Sequence, residues 1–151
     1  MVAVAMVAVL AGLGATSFSG AAARTRVAAD ASDLLSAIEV ARSEAMKRQA
    51  RVTLTPVDSG WTSGWLVFVD SNGNRRWDVG EPVLLRHRPL AATTALTVDT
   101  TPGYVAFGSH GRPIQYSGAF LAGTIGLCDN RILKSVVIAK SGRPRVQTNV
   151  C

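Results

Sequence analysis

The sequence predicts an α+β fold in which one long N-terminal helix packs on an antiparallel β-sheet or on two such sheets. No proline or glycine interrupts residues 21–51, where apolar residues recur at helical spacing, and short β-rich runs separated by turn residues follow from residue 51 onward. Strands and helices do not alternate, which argues against a parallel α/β fold. With 48% hydrophobic and 17% charged residues, the 151-residue chain has the composition of a folded domain with a core.

The chain opens with an apolar segment, residues 1–23, that contains no charged side chain. A membrane-spanning helix needs about 20 apolar residues, so this segment is predicted to cross a membrane once. A cleaved secretory signal is the alternative, because Ala21-Ala22-Ala23 resembles a small-residue cleavage site. A signal also needs a basic region before its apolar core, and here the apolar run starts at residue 1. We therefore expect the natural start of the protein to lie upstream of Met1.

Residues 24–50 are predicted to continue the same helix as an amphipathic half. Its apolar face is spaced alternately by four and three residues: Val27, Ala31, Leu34, Ile38, Ala41 and Ala45. Oppositely charged residues four positions apart, Arg26–Asp30 and Glu44–Arg48, are expected to form ion pairs on the exposed face. Because no helix breaker separates the halves, one continuous helix should lead from lipid into the folded domain.

Residues 51–151 are predicted to form an antiparallel β domain. The predicted strands are Arg51–Thr55, Trp65–Val69, Pro82–Arg86, Tyr104–Phe107, Phe120–Cys128, Ser135–Ala139 and Arg145–Thr148. The last two should pair with each other across the turn at Ser141-Gly142.

The two cysteines, Cys128 and Cys151, are too far apart in sequence for a CxxC metal or redox motif. An even number of cysteines, one of which is the last residue, suits a disulfide formed in an oxidising compartment. Two unrelated thiols are the alternative.

The segment 70–81 matches the spacing of a calcium-binding loop. Oxygen-bearing side chains stand at loop positions 1, 3, 5, 9 and 12: Asp70, Asn72, Asn74, Asp78 and Glu81. Arg75 occupies the sixth position, where the sharp turn favours glycine, and the Arg75-Arg76 pair opposes a cation electrostatically. A plain hairpin connection, with Asn and Gly at left-handed positions, is therefore favoured and no bound metal is predicted.

A net charge of +6 favours an anionic partner, although a solvated basic surface gives the same composition. Beyond the turn glycine Gly142 come Arg143 and Arg145, which are two residues apart and should therefore point the same way. Their guanidinium groups can form bidentate hydrogen bonds with phosphate oxygens. Lys134 and Lys140 on the neighbouring strand, and Arg112 in its own Gly-Arg-Pro turn, are further candidates for contact with duplex DNA. Arg42 is expected to lie outside this turn, on the helix.

The sequence contains no recognisable catalytic arrangement. Its histidines are His87, at a strand end, and His110, in a turn, and the sequence around Ser109 does not fit Gly-x-Ser-x-Gly. We therefore predict no enzymatic activity, no cofactor and no small-molecule substrate.

Several of these segments, taken in order, resemble the minor pseudopilin H family of type II secretion, which includes the FimT-like minor pilins. The resemblance rests on the apolar run 1–10, Ala-Arg-Ser-Glu-Ala-Met-Lys-Arg at 41–48, Gly-Trp-Leu-Val-Phe-Val-Asp-Ser-Asn-Gly at 64–73, Gly80-Glu81, Gly111-Arg112, Leu127-Cys128, Gly142-Arg143 and the terminal Cys151. The Gly-Phe-Thr-Leu-Ile-Glu processing motif of the family is absent from this sequence.

The resemblance implies a pilin-like fold and a structural role in a type II secretion pseudopilus or a type IV pilus. Other pilin subunits would then be its partners, with 1–23 in the inner membrane and the β domain in the periplasm. It also implies an alternative role. Gly142-Arg143-Pro144-Arg145 matches a Gly-Arg-x-Arg motif near the C-terminus that is associated with DNA uptake in FimT-like proteins.

Overall fold

A computed structural model describes residues 2–58, 60–99 and 103–151, and gives the side-chain surroundings of the long helix from residue 20 onward. The helix α1 comprises Val2–Arg48, and a short 3-10 turn comprises Trp61–Ser63. The strands are β1 (Val52–Pro56), β2 (Trp65–Val69), β3 (Val83–Arg86), β4 (Ala95–Asp99), β5 (Val105–Phe107), β6 (Gly123–Asp129), β7 (Ile132–Ile138) and β8 (Pro144–Val150).

Helix α1 is continuous over 47 residues, which corresponds to a length of about 70 Å. Every residue of the predicted apolar face, from Val27 to Ala45, is buried. The helix ends where Gln49 adopts a left-handed conformation and the Ala50 N–H donates to the Ala45 carbonyl. Within the described residues, no helix includes a stretch long and apolar enough to span a membrane. Most of the predicted membrane segment, 1–19, lies outside the residues whose side chains are described.

One of the two predicted ion pairs on the helix is present. Glu44 binds Arg48, and also Lys47 one turn away. The prediction for Arg26 is wrong: its Nε lies 3.6 Å from Oδ2 of Asp129, at the end of β6, instead of pairing with Asp30. The second sheet packs beside this part of the helix and brings a largely buried carboxylate to Arg26, which sequence spacing alone could not show.

The strands form two antiparallel four-stranded sheets. The first has the order β3-β2-β1-β5 and the second has the order β4-β6-β7-β8. In the first sheet Val52 lies opposite both Val69 and Phe107. In the second, Ile125 lies opposite Val98 on one side and Val136 on the other. The two-sheet form of the predicted α+β fold is therefore the one observed.

Seven strands lie where the sequence places them, and an eighth, β4, was not predicted. It lies at the edge of the second sheet, and all of its side chains except that of Leu96 are exposed. The predicted strand from Phe120 begins later, at Gly123, because Phe120 forms an isolated bridge with Ile114. The final strand pairs with β7 as predicted but continues to Val150.

Helix α1 contacts both sheets and thereby joins them into one core. Leu34 and Ile38 of the helix belong to the same buried cluster as Leu54 of the first sheet and Ile125 and Val136 of the second. Burial of such aliphatic side chains is the main source of stability in a domain with few aromatic residues.

Candidate functional site

Two Gly-Arg-Pro turns meet at one end of the molecule. Gly111-Arg112-Pro113 follows β5 and Gly142-Arg143-Pro144 joins β7 to β8. Both glycines are left-handed, with φ of 67° and 77°. A Cβ atom on Gly142 would lie 2.8 Å from the Gly111 carbonyl oxygen and 3.2 Å from Cδ of Pro113. Only glycine permits this approach, so the two turns, one from each sheet, hold each other in place.

Arg42 of α1 joins these turns. Its Nε donates to the Gly111 carbonyl oxygen at 3.2 Å and lies 3.4 Å from the Cβ position of Gly142. Arg42 lies on the helix as predicted, but its side chain contacts the turn because the helix passes directly behind it. Arg112, Arg143 and Arg145 are exposed. We refer to Arg42, Arg112, Arg143 and Arg145 together as the arginine face.

The lysines of the predicted basic site divide between two regions. Lys140 lies beside the turn, with Nζ 5.8 Å from the centre of the Phe120 ring. Lys134 lies opposite Thr148, three residues along β7 from the partner of Arg145, a separation of about 10 Å. Its Nζ donates to the Thr148 hydroxyl at 2.7 Å. It lines a separate hollow of about 1160 Å³ between α1 and the end of the second sheet, together with Arg24 and Arg131.

A smaller hollow of about 330 Å³ separates Arg143 from the helix. Glu39 and Arg42 line it from α1, while Arg143 and Pro144 line it from the turn. One carboxylate therefore lies among the arginines. The outward charge of the arginine face comes mainly from Arg112, Arg143 and Arg145.

Cys128 and Cys151 form a disulfide, with their Cα atoms 6.2 Å apart. Cys128 lies in β6 and Cys151 follows β8, so the bond links the two strands that flank β7. The Cys151 N–H also donates to the Arg131 carbonyl in the β6–β7 turn. The disulfide clamps the end of β8, the edge strand that bears Arg145.

The segment 70–81 connects β2 to β3 as a hairpin loop, as predicted. Its left-handed positions are Gly73, Arg75 and Gly80, so the expectation that asparagines would take such positions is wrong. Asp70 begins the loop, and its Oδ2 accepts hydrogen bonds from the Thr53 hydroxyl at 2.9 Å and the Arg75 N–H at 3.2 Å. Glu81 closes it, accepting from the N–H groups of Ser71 and Asp78. The bond between Ser71 and Glu81 ties the second and last positions of the loop together.

Asp78 lies on the exposed side of this loop. Its Oδ2 accepts hydrogen bonds from the side-chain amides of Asn72 at 2.7 Å and Asn74 at 2.6 Å. These two bonds lower the pKa of Asp78, because they stabilise the charged form. Throughout the described part of the chain, no group of three or more His, Cys, Asp and Glu side chains is arranged to hold a metal ion.

Arg75 does not prevent the sharp turn of the loop. It adopts φ of 70° itself, the left-handed conformation for which glycine was expected. Its guanidinium lies over two aromatic rings, 5.5 Å from the centre of Tyr104 and 5.2 Å from that of Tyr116. Cation–π contacts thus hold this charge at one side of the loop.

His87 forms a link between α1 and the first sheet that sequence reasoning missed. Its ring stacks on Trp65 at 3.9 Å between centroids, and Nε2 lies 3.2 Å from Oδ2 of Asp33. Asp30, one turn earlier, has a buried Oδ2 without a hydrogen-bond partner among the described residues. Burial raises the pKa of Asp30, and the nearby charge of His87 partly opposes this effect. No spacing signal in the sequence connects residue 33 with residue 87.

Comparison with known proteins agrees with this architecture. Residues 30–142 match the family described as Type II transport protein GspH. Pilin-like protein PilA1 of Thermus thermophilus is 30% identical over 122 residues, covering 78% of this chain and 75% of PilA1.

The structure of this chain is similar to two crystal structures of the type IV minor pilin FimU of Pseudomonas aeruginosa. One has a TM-score of 0.61 at 21% identity and covers 83% of this chain and 90% of FimU. The other has a TM-score of 0.59 at 19% identity and covers 79% and 89%. At this identity the likeness shows a shared pilin fold. Because the family match spans most of the folded domain, the chain belongs to the GspH family of minor pilins and pseudopilins.

Proposed function

We propose that this minor pilin or pseudopilin enters a filament through the first half of α1, which the inner membrane holds before assembly. The observation that supports this is the continuity of α1 from Val2 to Arg48. Burial of its described side chains against the sheets starts at Ala23. The 22 residues before Ala23 carry no charged side chain, and their apolar side chains need an apolar environment other than the two sheets.

Lipid and neighbouring subunits can each supply that surrounding. In the bilayer, a helix satisfies its own backbone hydrogen bonds and can remain as a monomer. In a filament, the same surface can pack on copies of the helix, with Gly12 and Gly14 allowing close approach. The Cys128–Cys151 disulfide supports placing the β domain in the oxidising periplasm.

Site-specific photo-crosslinking in filament-producing cells tests this proposal. A photoreactive amino acid at Leu10 should crosslink to other pilin subunits in assembled filaments. The matched control is the same amino acid at Thr97, an exposed position in β4. Recovery of the Leu10 variant as a soluble protein that forms no subunit crosslinks would contradict the proposal.

Type II secretion and type IV pilus assembly are two settings for the same structural role. Deletion of the gene separates them, since loss of an exported enzyme from the medium indicates secretion and loss of surface pili indicates pilus assembly. Restoration by the full chain is the necessary control in both assays.

A second candidate function, favoured by the contact between the two Gly-Arg-Pro turns, is binding of duplex DNA. The arginine face holds Arg112, Arg143 and Arg145 at one end of the domain, and the left-handed glycines keep the backbone of both turns compact. Guanidinium groups contact phosphates without reading sequence, so such binding would be non-specific and sensitive to salt.

Titration of DNA with the full chain in detergent, over a series of salt concentrations, tests this function. A site using about four phosphates gives a log–log slope near −3.6, and each phosphate contact accounts for about 0.9. The double variant Arg143→Ala/Arg145→Ala should reduce the slope by roughly 2 and weaken all sequences alike.

The charge-matched control is Arg86→Ala/Arg88→Ala. Both residues are exposed, and β3 and β5 lie at opposite edges of the first sheet, so this pair is remote from the turns. Equal losses in the two double variants would show a diffuse basic surface and no specific site.

A further inference from the structure

We propose that the hollow between α1 and the end of the second sheet binds the headgroup of an anionic phospholipid of the inner membrane. Its basic side chains are those of Arg24, Arg131 and Lys134. This inference rests on the membrane placement of the first half of α1 proposed above, and it gives the folded domain a partner before assembly. The hollow is separate from the arginine face, because Arg42 lies about 27 Å further along the helix axis than Arg24.

The hollow lies where the uncharged segment of α1 ends. Residues 1–23 contain no charged side chain, and Arg24 carries the first one in the sequence. The β6–β7 turn reaches the helix at this level, since a Cβ atom on Gly20 would lie 3.5 Å from Nδ2 of Asn130. Arg131 is the next residue of that turn. With the uncharged segment in lipid, the turn and the hollow therefore lie at the level of the phospholipid headgroups.

The basic side chains of the hollow have no competing carboxylate. Among the described residues that line it none is acidic, and within that part of the chain its three cationic groups form no ion pair. The neighbouring carboxylate of Asp129 is engaged by Arg26. Lys134 donates one of its three N–H groups to the Thr148 hydroxyl and keeps two for a ligand. The charge of the hollow is thus available to a phosphate group.

Apolar side chains line the same hollow, which favours a phospholipid over free phosphate. Lys134 and Ile132 lie on the face of β7 that is buried at Val136. Ile132 lies opposite Val150, whose side chain is 81% exposed, and both line the hollow. A phospholipid joins its phosphodiester to glycerol and acyl carbons, so it can contact the basic and the apolar parts of the hollow together.

Photo-crosslinking in nanodiscs tests this proposal. The full chain, with a photoreactive amino acid at Val150, is reconstituted in discs that contain equal amounts of phosphatidylglycerol and phosphatidylcholine. Mass spectrometry of the crosslinked protein distinguishes adducts of the two lipids. We expect phosphatidylglycerol adducts to exceed phosphatidylcholine adducts by about fivefold or more, because each basic residue near an anionic membrane surface strengthens binding by about fivefold.

Arg131→Gln/Lys134→Gln removes two of the three charges and should bring the two adducts close to equal amounts. The charge-matched control is Lys47→Gln/Arg76→Gln, which should keep the excess of phosphatidylglycerol adducts. Lys47 lies in the last turn of α1, about 35 Å along the helix from Arg24.

Arg76 lies in the β2–β3 loop, which begins just beyond the same end of the helix, where the Asp70 N–H donates to the Arg51 carbonyl. The matched control for the crosslinking position is Val79 in this loop, which is 94% exposed. A photoreactive amino acid there should give no lipid adducts.

The outcomes separate this inference from the placement of the helix. A chain that does not co-elute with the discs would refute both. A chain that enters the discs and gives equal adducts of the two lipids would refute the headgroup site alone. Loss of the excess when inorganic phosphate is added at the concentration of the lipid would show a site for free phosphate. The same reduction in both double variants would show an effect of net charge and overturn the proposal.

Discussion

The carbonyl oxygen of Gly111 lies 2.8 Å from the point that a Cβ atom on Gly142 would occupy. Gly111 follows β5 of the first sheet, whereas Gly142 precedes β8 of the second. This contact therefore connects the two sheets outside the core, at the end of the domain that bears the arginine face.

Gly142→Ala should lower the free energy of unfolding by about 2 kcal/mol, because the new methyl group meets the Gly111 backbone and the residue must stay left-handed. Thermal unfolding measures the loss. The control is Gly80→Ala, which also has positive φ, 104°, but has open space around its Cβ position. An equal loss in both variants would mean that the contact between the turns contributes nothing beyond backbone strain.

Loss of the disulfide should destabilise the protein and loosen the far end of β8. The bond joins residues 23 apart in sequence, and closure of such a loop is worth roughly 3 kcal/mol in the chain-entropy model. In Cys128→Ser, hydrogen exchange should accelerate most at Thr148–Val150 and least near Arg145, which is closer to the β7–β8 turn. Uniform acceleration along β8 would contradict this expectation.

Asp30→Asn should remove a pH-dependent loss of stability. Burial raises the folded-state pKa of Asp30 above 3.8, so the folded state holds this proton more tightly than the unfolded chain does. Its favourable contribution is complete below the unfolded pKa and disappears as pH rises through the folded pKa. As pH rises from about 3 to about 7, the unfolding temperature of Asp30→Asn relative to that of the wild type should therefore increase.

Glu44→Gln is the control of opposite sign for this pH experiment. Hydrogen bonds from Arg48, and secondarily Lys47, lower the pKa of Glu44. Its contribution is present above its unfolded pKa and is lost as pH falls through the folded value. As pH rises between the same two values, the unfolding temperature of Glu44→Gln relative to that of the wild type should therefore fall. A change of the same sign in both variants would refute the assignment for Asp30.

Leu34→Ala should cost about 3 kcal/mol, because Leu34 is fully buried between α1 and the sheets and its truncation leaves a cavity. Denaturant titration measures this loss. Val79→Ala, at a position that is 94% exposed, should change stability by less than about 0.5 kcal/mol. Similar midpoints for the two variants would show that the helix does not pack on the sheets as described.

Regular periodicity made most of the fold predictable. The helical face from Val27 to Ala45 and the buried run of β2 each carry a strong local signal, and both lie where expected. Strand β4 lacks such a signal, because an edge strand with mostly exposed side chains does not need an apolar pattern. The pairing of Arg26 with Asp129 depends on how the helix lies on the second sheet, which local sequence does not encode.

The candidate sites were predictable in composition and only partly in geometry. Gly142 and Arg143 could be recognised as a turn, and Cys128 and Cys151 as a pair. The contact of Gly142 with Gly111 joins residues 31 positions apart and depends on the packing of two sheets. The left-handed conformation of Arg75 was missed because it opposes the residue's own preference.

The contact of α1 with both sheets has a mechanical consequence. A tensile load applied along the helix axis is shared between β1, β2 and β5 on one side and β6, β7 and β8 on the other. Leu34 and Ile38 belong to a cluster that includes residues of both sheets, so detachment of either sheet would expose part of that shared core. We therefore expect the helix and both sheets to resist pulling together.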